Sequence, residues 1–188
     1  MMKKRFLALS FLGVMTLGAF GYQAASPQVA AAEEFRDYLI PAKLNTLFFA
    51  KKVTILLTTK AAFPAKLEEN SGWMVGIDTD SNPATGGKWP KIGADYIVSV
   101  INQNGKWSAT VKNVKTGASR AFNSEIMVDQ NKVDFSIPLA ELENKTVFDW
   151  QIAVVSGENR KALPDLLKAN SKEQKGGNYD DYMKDMKM

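Results

Sequence analysis

The sequence contains no cysteine and no histidine. Without cysteine there are no disulfides, no thiolate metal sites, no iron–sulfur clusters and no Cys nucleophile. Without histidine there is no Ser-His-Asp triad, no His-ligated haem and no His-based catalytic zinc. Carboxylate-only catalysis survives these exclusions in principle. With 20 Asp and Glu residues some pairing is unavoidable, however, and no pattern singles out a catalytic acid among Asp78, Asp80, Asp95 and Asp149. The sequence therefore reads as a non-enzymatic protein.

The first thirty residues carry the pattern of a secretory signal peptide. Lys3, Lys4 and Arg5 precede an apolar run from Phe6 to about Phe20, and small residues follow at Ala24-Ala25 and Ala30-Ala31-Ala32. Ala30 and Ala32 satisfy the A-x-A rule for cleavage before Glu33, with cleavage near Ala25 as the alternative. The apolar run is shorter than the ~20 residues needed to cross a bilayer, so no transmembrane segment is expected in the mature chain. With no Cys after the run, a lipoprotein anchor is excluded. A secreted, extracellular or cell-surface protein is the expectation.

Removal of residues 1–32 changes the charge argument. The whole chain has 24 basic and 20 acidic residues, but the leader holds three of the basic ones and none of the acidic. The mature net charge is thus +1 rather than +4, and the apparent basicity is no argument for nucleic-acid binding. The remaining 156 residues make one domain, large enough to bury a core without crosslinks.

What the mature chain does contain is alternation of period two. Val53, Ile55 and Leu57 share one face of a short run, as do Trp73, Val75 and Ile77. The same holds for Tyr96, Val98 and Val100; for Trp107, Ala109 and Val111; for Val133, Phe135 and Ile137; and for Phe148, Trp150, Ile152 and Val154. These are half-buried strands. Asn104-Gly105, Thr116-Gly117 and Asp129-Gln130-Asn131 supply turns between them. No helix-period stretch interrupts the region, so the fold class is all-β, an antiparallel β-sandwich over residues 33–160. Pro138 to Leu142 predicts one helical turn crossing between sheets, with Pro138 setting its start.

Residues 161–188 read as a polar tail with short helical segments. Pro164 to Ala169 predicts a short helix. Tyr179, Tyr182, Met183 and Met186 fall at i, i+3, i+4 and i+7, one face of a second. That face is the candidate surface for a protein partner, or a cover for the sandwich's own exposed edge.

The most informative stretch is Trp73-Met-Val-Gly-Ile-Asp78-Thr-Asp80-Ser-Asn82-Pro-Ala-Thr85-Gly86, followed by Ile92-Gly93-Ala94-Asp95-Tyr96. This pair of motifs resembles the DOMON-like superfamily, in particular members similar to family 9 carbohydrate-binding modules. The runs from Asn131 to Leu139 and from Phe148 to Ile152 are similar to that family's closing strands, so the resemblance spans about residues 44–157. It implies a β-sandwich outside the cytoplasm that binds sugar or, in other branches, haem. Haem is not expected here, because that branch relies on His.

On their own chemistry, Asp78, Asp80 and Asn82 place three oxygen-bearing side chains at alternate positions. Such hard ligands suit calcium, with Asp95 as a further ligand. The spacing is not an EF-hand, since Pro83 and Trp89 stand where Gly and Glu would be required. The competing reading is a set of Asx-turns bending the chain after a strand. Trp73, Trp107 and Trp150 lie on core faces by parity. Trp89 does not. It sits in a loop between Lys88 and Lys91, placed either to stack on a sugar ring or anionic polymer or to plug one end of the sandwich. The leading expectation is a module binding carbohydrate or cell-envelope polymer through Trp89, Lys88 and Lys91, with a calcium-stabilised loop. The alternative is a structural or assembly protein that docks a partner through its tail.

Overall fold

A computed structural model of the protein describes residues 35–172. Strands β1 (Pro41–Phe49), β2 (Lys52–Thr59), β9 (Ile126–Asp129) and β10 (Lys132–Pro138) form a four-stranded sheet in the order β1-β2-β10-β9. The second sheet runs β12-β11-β3-β6-β7-β8. Its members are β3 (Ser71–Asp78), β6 (Tyr96–Gln103), β7 (Lys106–Asn113), β8 (Ser119–Ala121), β11 (Val147–Ser156) and β12 (Asn159–Ala162). All pairings are antiparallel. The two sheets face each other as a sandwich.

Every alternating set read from the sequence contributes to the core. Val53, Ile55 and Leu57 meet Trp73, Val75, Ile77, Val98, Val100, Val133, Phe135, Ile137, Phe148, Trp150 and Ile152 in one continuous cluster. Trp73 is fully buried, donates Nε1–H to the Leu39 carbonyl at 2.8 Å, and stacks on half-buried Trp107 at 5.5 Å with 13° between the planes. Burying aromatics of this size supplies several kcal/mol each on an order-of-magnitude scale.

The turns follow backbone chemistry. Asn104 and Gly105 both take positive φ, 52° and 73°, the geometry of a two-residue hairpin between β6 and β7. Leu139–Leu142 forms a 3-10 turn carrying the chain from β10 in one sheet to β11 in the other, with Pro138 at its start.

The tail differs from the sequence expectation. Residues 164–169 do not form a helix. Leu167–Asn170 is strand β13, pairing with Val147–Trp150 of β11, and Ala169 enters the core. A helix of six residues has too little cooperativity to hold itself. The open edge of β11 offers backbone partners that a strand can satisfy at once. With β12 on the same edge of β11, the sandwich continues past residue 160 to Asn170. The face made by Tyr179, Tyr182, Met183 and Met186 lies outside the described residues, as does the leader. No described helix is long and apolar enough to cross a membrane.

Candidate functional site

Three strand ends converge at one end of the second sheet: the end of β3 at Asp78, the start of β6 at Tyr96 and the end of β7 at Asn113. Between β3 and β6 the chain makes the Asp78–Asp95 loop, whose small hairpin pairs β4 (Gly87–Lys88) with β5 (Gly93–Ala94).

Asp78 is the pivot of this loop. It lies on the outer face of the sheet yet is only 1% exposed. One oxygen accepts the amides of Asp80 and Asn82, both at 3.2 Å, and the other accepts the amide of Gly93 at 3.3 Å. The loop is wound round this carboxylate because three of its N–H groups have no strand partner and must find an acceptor. Gly93 is required for the approach: a Cβ there would stand 1.8 Å from the Thr85 carbonyl oxygen.

Asp80 and Asp95 close on the same point. One carboxylate oxygen from each of Asp78, Asp80 and Asp95 lies within 4.8 Å of the others. Asp95 accepts from the Thr79 amide at 2.8 Å and the Thr79 hydroxyl at 2.6 Å. Asp80 accepts from the Asn82 amide and the Thr85 hydroxyl. Burial first, and then the facing Asp80 carboxyl, push the Asp78 pKa above its ordinary value. For Asp80 slight desolvation is outweighed by the Asn82 amide, the Thr85 hydroxyl and the Asp78 carboxyl, so its pKa falls. Burial and the mutual contact of the two carboxyls displace their pKa values in opposite directions, and a cation between them would relieve the repulsion of their charged forms.

Asn82 plays a different part from the three aspartates. Its side-chain oxygen accepts the Ala84 amide at 3.1 Å, an Asx-turn, while its own amide serves Asp78 and Asp80. The two readings of this motif are therefore compatible. Turn bonds shape the loop, and the shaped loop brings the carboxylates together. Three carboxylates and nearby backbone carbonyls suit a hard divalent cation such as calcium, with water completing the ~6–8 ligands it takes.

Trp89 is placed by a glycine in the neighbouring strand. A Cβ on Gly76 would stand 2.7 and 2.8 Å from Cδ2 and Cε2 of Trp89, and 3.1 Å from Cε3. The first two are the ring-fusion atoms, which present no edge, so the indole lies face-on over Gly76 on the outer surface of the sheet. The sequence signal that could have placed it was a glycine in a strand interior, a mark of close approach. Trp89 keeps partial exposure, and Lys88 and Lys91 beside it are exposed. Trp89 N donates to Ile92 O at 3.2 Å, which closes the turn carrying Lys91.

Sequence reasoning missed a cleft at the same end. It has a volume of about 260 Å³ and is lined by Tyr96, Asn113, Arg120, Glu141 and Glu143 among others. Arg120 and Glu141 form an ion pair across it. Burial, then the hydrogen bond and charge of Glu143, push the Tyr96 phenol up to about 12, so it stays a protonated hydrogen-bonding group at physiological pH. These residues come from three strands and the 3-10 turn, with no local pattern linking them. No protein-family model, curated protein or solved structure matches the chain.

Proposed function

We propose that the protein is a secreted, non-catalytic module that binds carbohydrate or a cell-envelope polymer at the loop end of its sandwich. Trp89 is the stacking surface, Lys88 and Lys91 supply hydrogen bonds and charge, and a calcium ion held by Asp78, Asp80 and Asp95 fixes the loop that carries them. The observation behind this reading is the seating of Trp89. One ring face rests on Gly76 and the side chain is still partly exposed. An indole backed by sheet backbone is held rigid, so little side-chain entropy remains to be lost when a sugar's C–H face stacks on it. The resemblance of the two motifs to family 9 carbohydrate-binding modules supports the same class of ligand.

The test is affinity electrophoresis through gels containing isolated cell-envelope polysaccharides, in calcium. The wild-type chain should be retarded by at least one polymer. Trp89→Ala should lose that retardation by tenfold or more while melting within about 1 kcal/mol of wild type, as expected for a half-exposed side chain. Equal retardation of Trp89→Ala and wild type, or no retardation by any polymer, would overturn the reading.

A further inference from the structure

The cleft beside Tyr96 lies where the edge of the second sheet meets the 3-10 turn that crosses between the sheets. Tyr96 and Asn113 are register partners on β6 and β7, so their side chains share one face at the sheet's end. Arg120 of β8 stands opposite buried Val111 and therefore projects to the inner side as well. Three charged residues line the space, Arg120, Glu141 and Glu143. The one cation is already committed. Arg120 Nε donates to Glu141 Oε2, and the arginine side chain is 64% exposed against 16% for the glutamate. The Asn113 side-chain oxygen accepts the Thr116 amide at 3.0 Å, and its amide group bonds the Tyr96 phenol, which donates in turn to Glu143. What is left to meet a ligand is chiefly carboxylate oxygen, with the Ser119 hydroxyl beside it.

The backbone holds Glu143 there against its own preference. It follows the 3-10 turn at φ 52°, and Asn144 comes next at φ 59°, two consecutive left-handed positions without a glycine. The amides of both bond back to the Leu139 carbonyl, that of Asn144 at 2.7 Å. Glycine is the usual residue for such a cap. A glutamate meets an unfavourable conformation there, and in return its carboxylate stands in the cleft wall. We propose that the cleft binds a primary ammonium group carried on a hydroxyl-bearing body, an amino sugar, with Glu141 and Glu143 as its acceptors.

Charge and size both favour this ligand. Two carboxylates against one guanidinium leave the lining with a net negative charge, and an ammonium brings three donors and no acceptor. An anionic ligand would meet Glu141 and Glu143 with like charge. The volume of about 260 Å³ is small for a ligand pocket and suits a single sugar ring. The Ser119 hydroxyl and the outer N–H groups of Arg120 are left to serve the ring hydroxyls. None of these residues is shared with Trp89, Lys88 or Lys91, so the cleft is tested separately from the stacking site.

The test follows backbone amide shifts of the isotope-labelled full chain at mildly acidic pH, where the amine is charged. Glucosamine, N-acetylglucosamine and pentylamine are titrated in separately at constant ionic strength. Glucosamine should shift the amides of Asn113, Ser119, Arg120 and Glu143 saturably, with the low-millimolar Kd expected of a ligand of about a dozen heavy atoms. N-acetylation removes the charge and pentylamine lacks the hydroxyls, so each should bind at least about fivefold more weakly. Glu143→Gln should weaken glucosamine by a similar factor. Glu143→Gly removes the carboxylate while relieving the left-handed backbone, so it should lose binding without lowering the melting temperature. No saturable shift at glucosamine concentrations about tenfold above that Kd would overturn the proposal. So would equal binding of either control ligand, or full affinity in both Glu143 variants.

Discussion

Asp78 and Asp134 are buried to nearly the same extent, 1% and 2% exposed, on the outer faces of different sheets. Their company differs. A loop winds three amides and a second carboxyl round Asp78. Asp134 stands between Leu56 and Met127 in register, with one oxygen unanswered. Both have pKa values above the ordinary carboxylate range, with burial the leading cause in each. The lesson is that burial alone does not define a carboxylate's role. Asp78 is an organiser whose removal strands its donors. Asp134 is a liability in its ionised form, because burial leaves one of its oxygens without a donor.

Substitutions should separate the two with opposite signs. The largest effect belongs to Asp78→Ala, which leaves the amides of Asp80, Asn82 and Gly93 without an acceptor. At roughly 1 kcal/mol or more for each stranded donor, chemical denaturation at pH 7 should show a loss of about 3–4 kcal/mol. A loss under 1 kcal/mol would mean that water serves those amides equally well.

Asp134→Asn should act in the other direction. Its folded pKa is raised from 3.8 to about 6, so the native state holds the proton more tightly than the unfolded chain. Stability is complete below pH 3.8 and falls as pH rises to about 6, by up to about 3 kcal/mol. The Asn variant lacks that fall. Its melting temperature should exceed that of wild type at pH 8 and approach it near pH 3.5, and identical pH profiles would remove Asp134 from the account.

Calcium gives the smallest and most conditional effect. At ~100 times its dissociation constant, a ligand specific to the folded state adds about 2.7 kcal/mol. Millimolar calcium after EDTA should therefore raise the melting temperature by several degrees at constant ionic strength. The shift should shrink as pH falls and the Asp78–Asp80 pair takes up its proton. Asp80→Asn should abolish it, while Asp134→Asn leaves it intact. No shift in the wild-type chain would reduce the Asp78 loop to its turn bonds.

The strands that were legible in the sequence are those with one apolar and one polar face. β1 was not, because Leu44, Thr46 and Phe48 face inward while Leu47 is buried on the other side, which erases the alternation. Its turn was hidden as well: Ala50 and Lys51 adopt φ of 48° and 62° without the Asn or Gly that usually announces such a hairpin. In β13, Leu167 and Ala169 do alternate with Lys168 and Asn170, but Pro164 resembled a helix start. Of the candidate site, the aspartates could be read because loop and strand are contiguous. The position of Trp89 depends on an atom that Gly76 lacks, thirteen residues earlier in the chain, and the cleft around Tyr96 depends on strands that meet only in space.

The register of β3 has a consequence for how the protein is made. Ile77 faces Tyr96 on one side and Trp150 on the other, so the strand gains its first neighbour early and its second only near the end of synthesis. β2 waits in the same way for β10. Until those late strands arrive, both sheets present unpaired edges of apolar sequence, the state most open to aggregation. With no cysteine to trap a partial pairing, closure rests on long-range contacts alone. Such contacts slow folding, so closure of the sandwich waits on the last strands to be made.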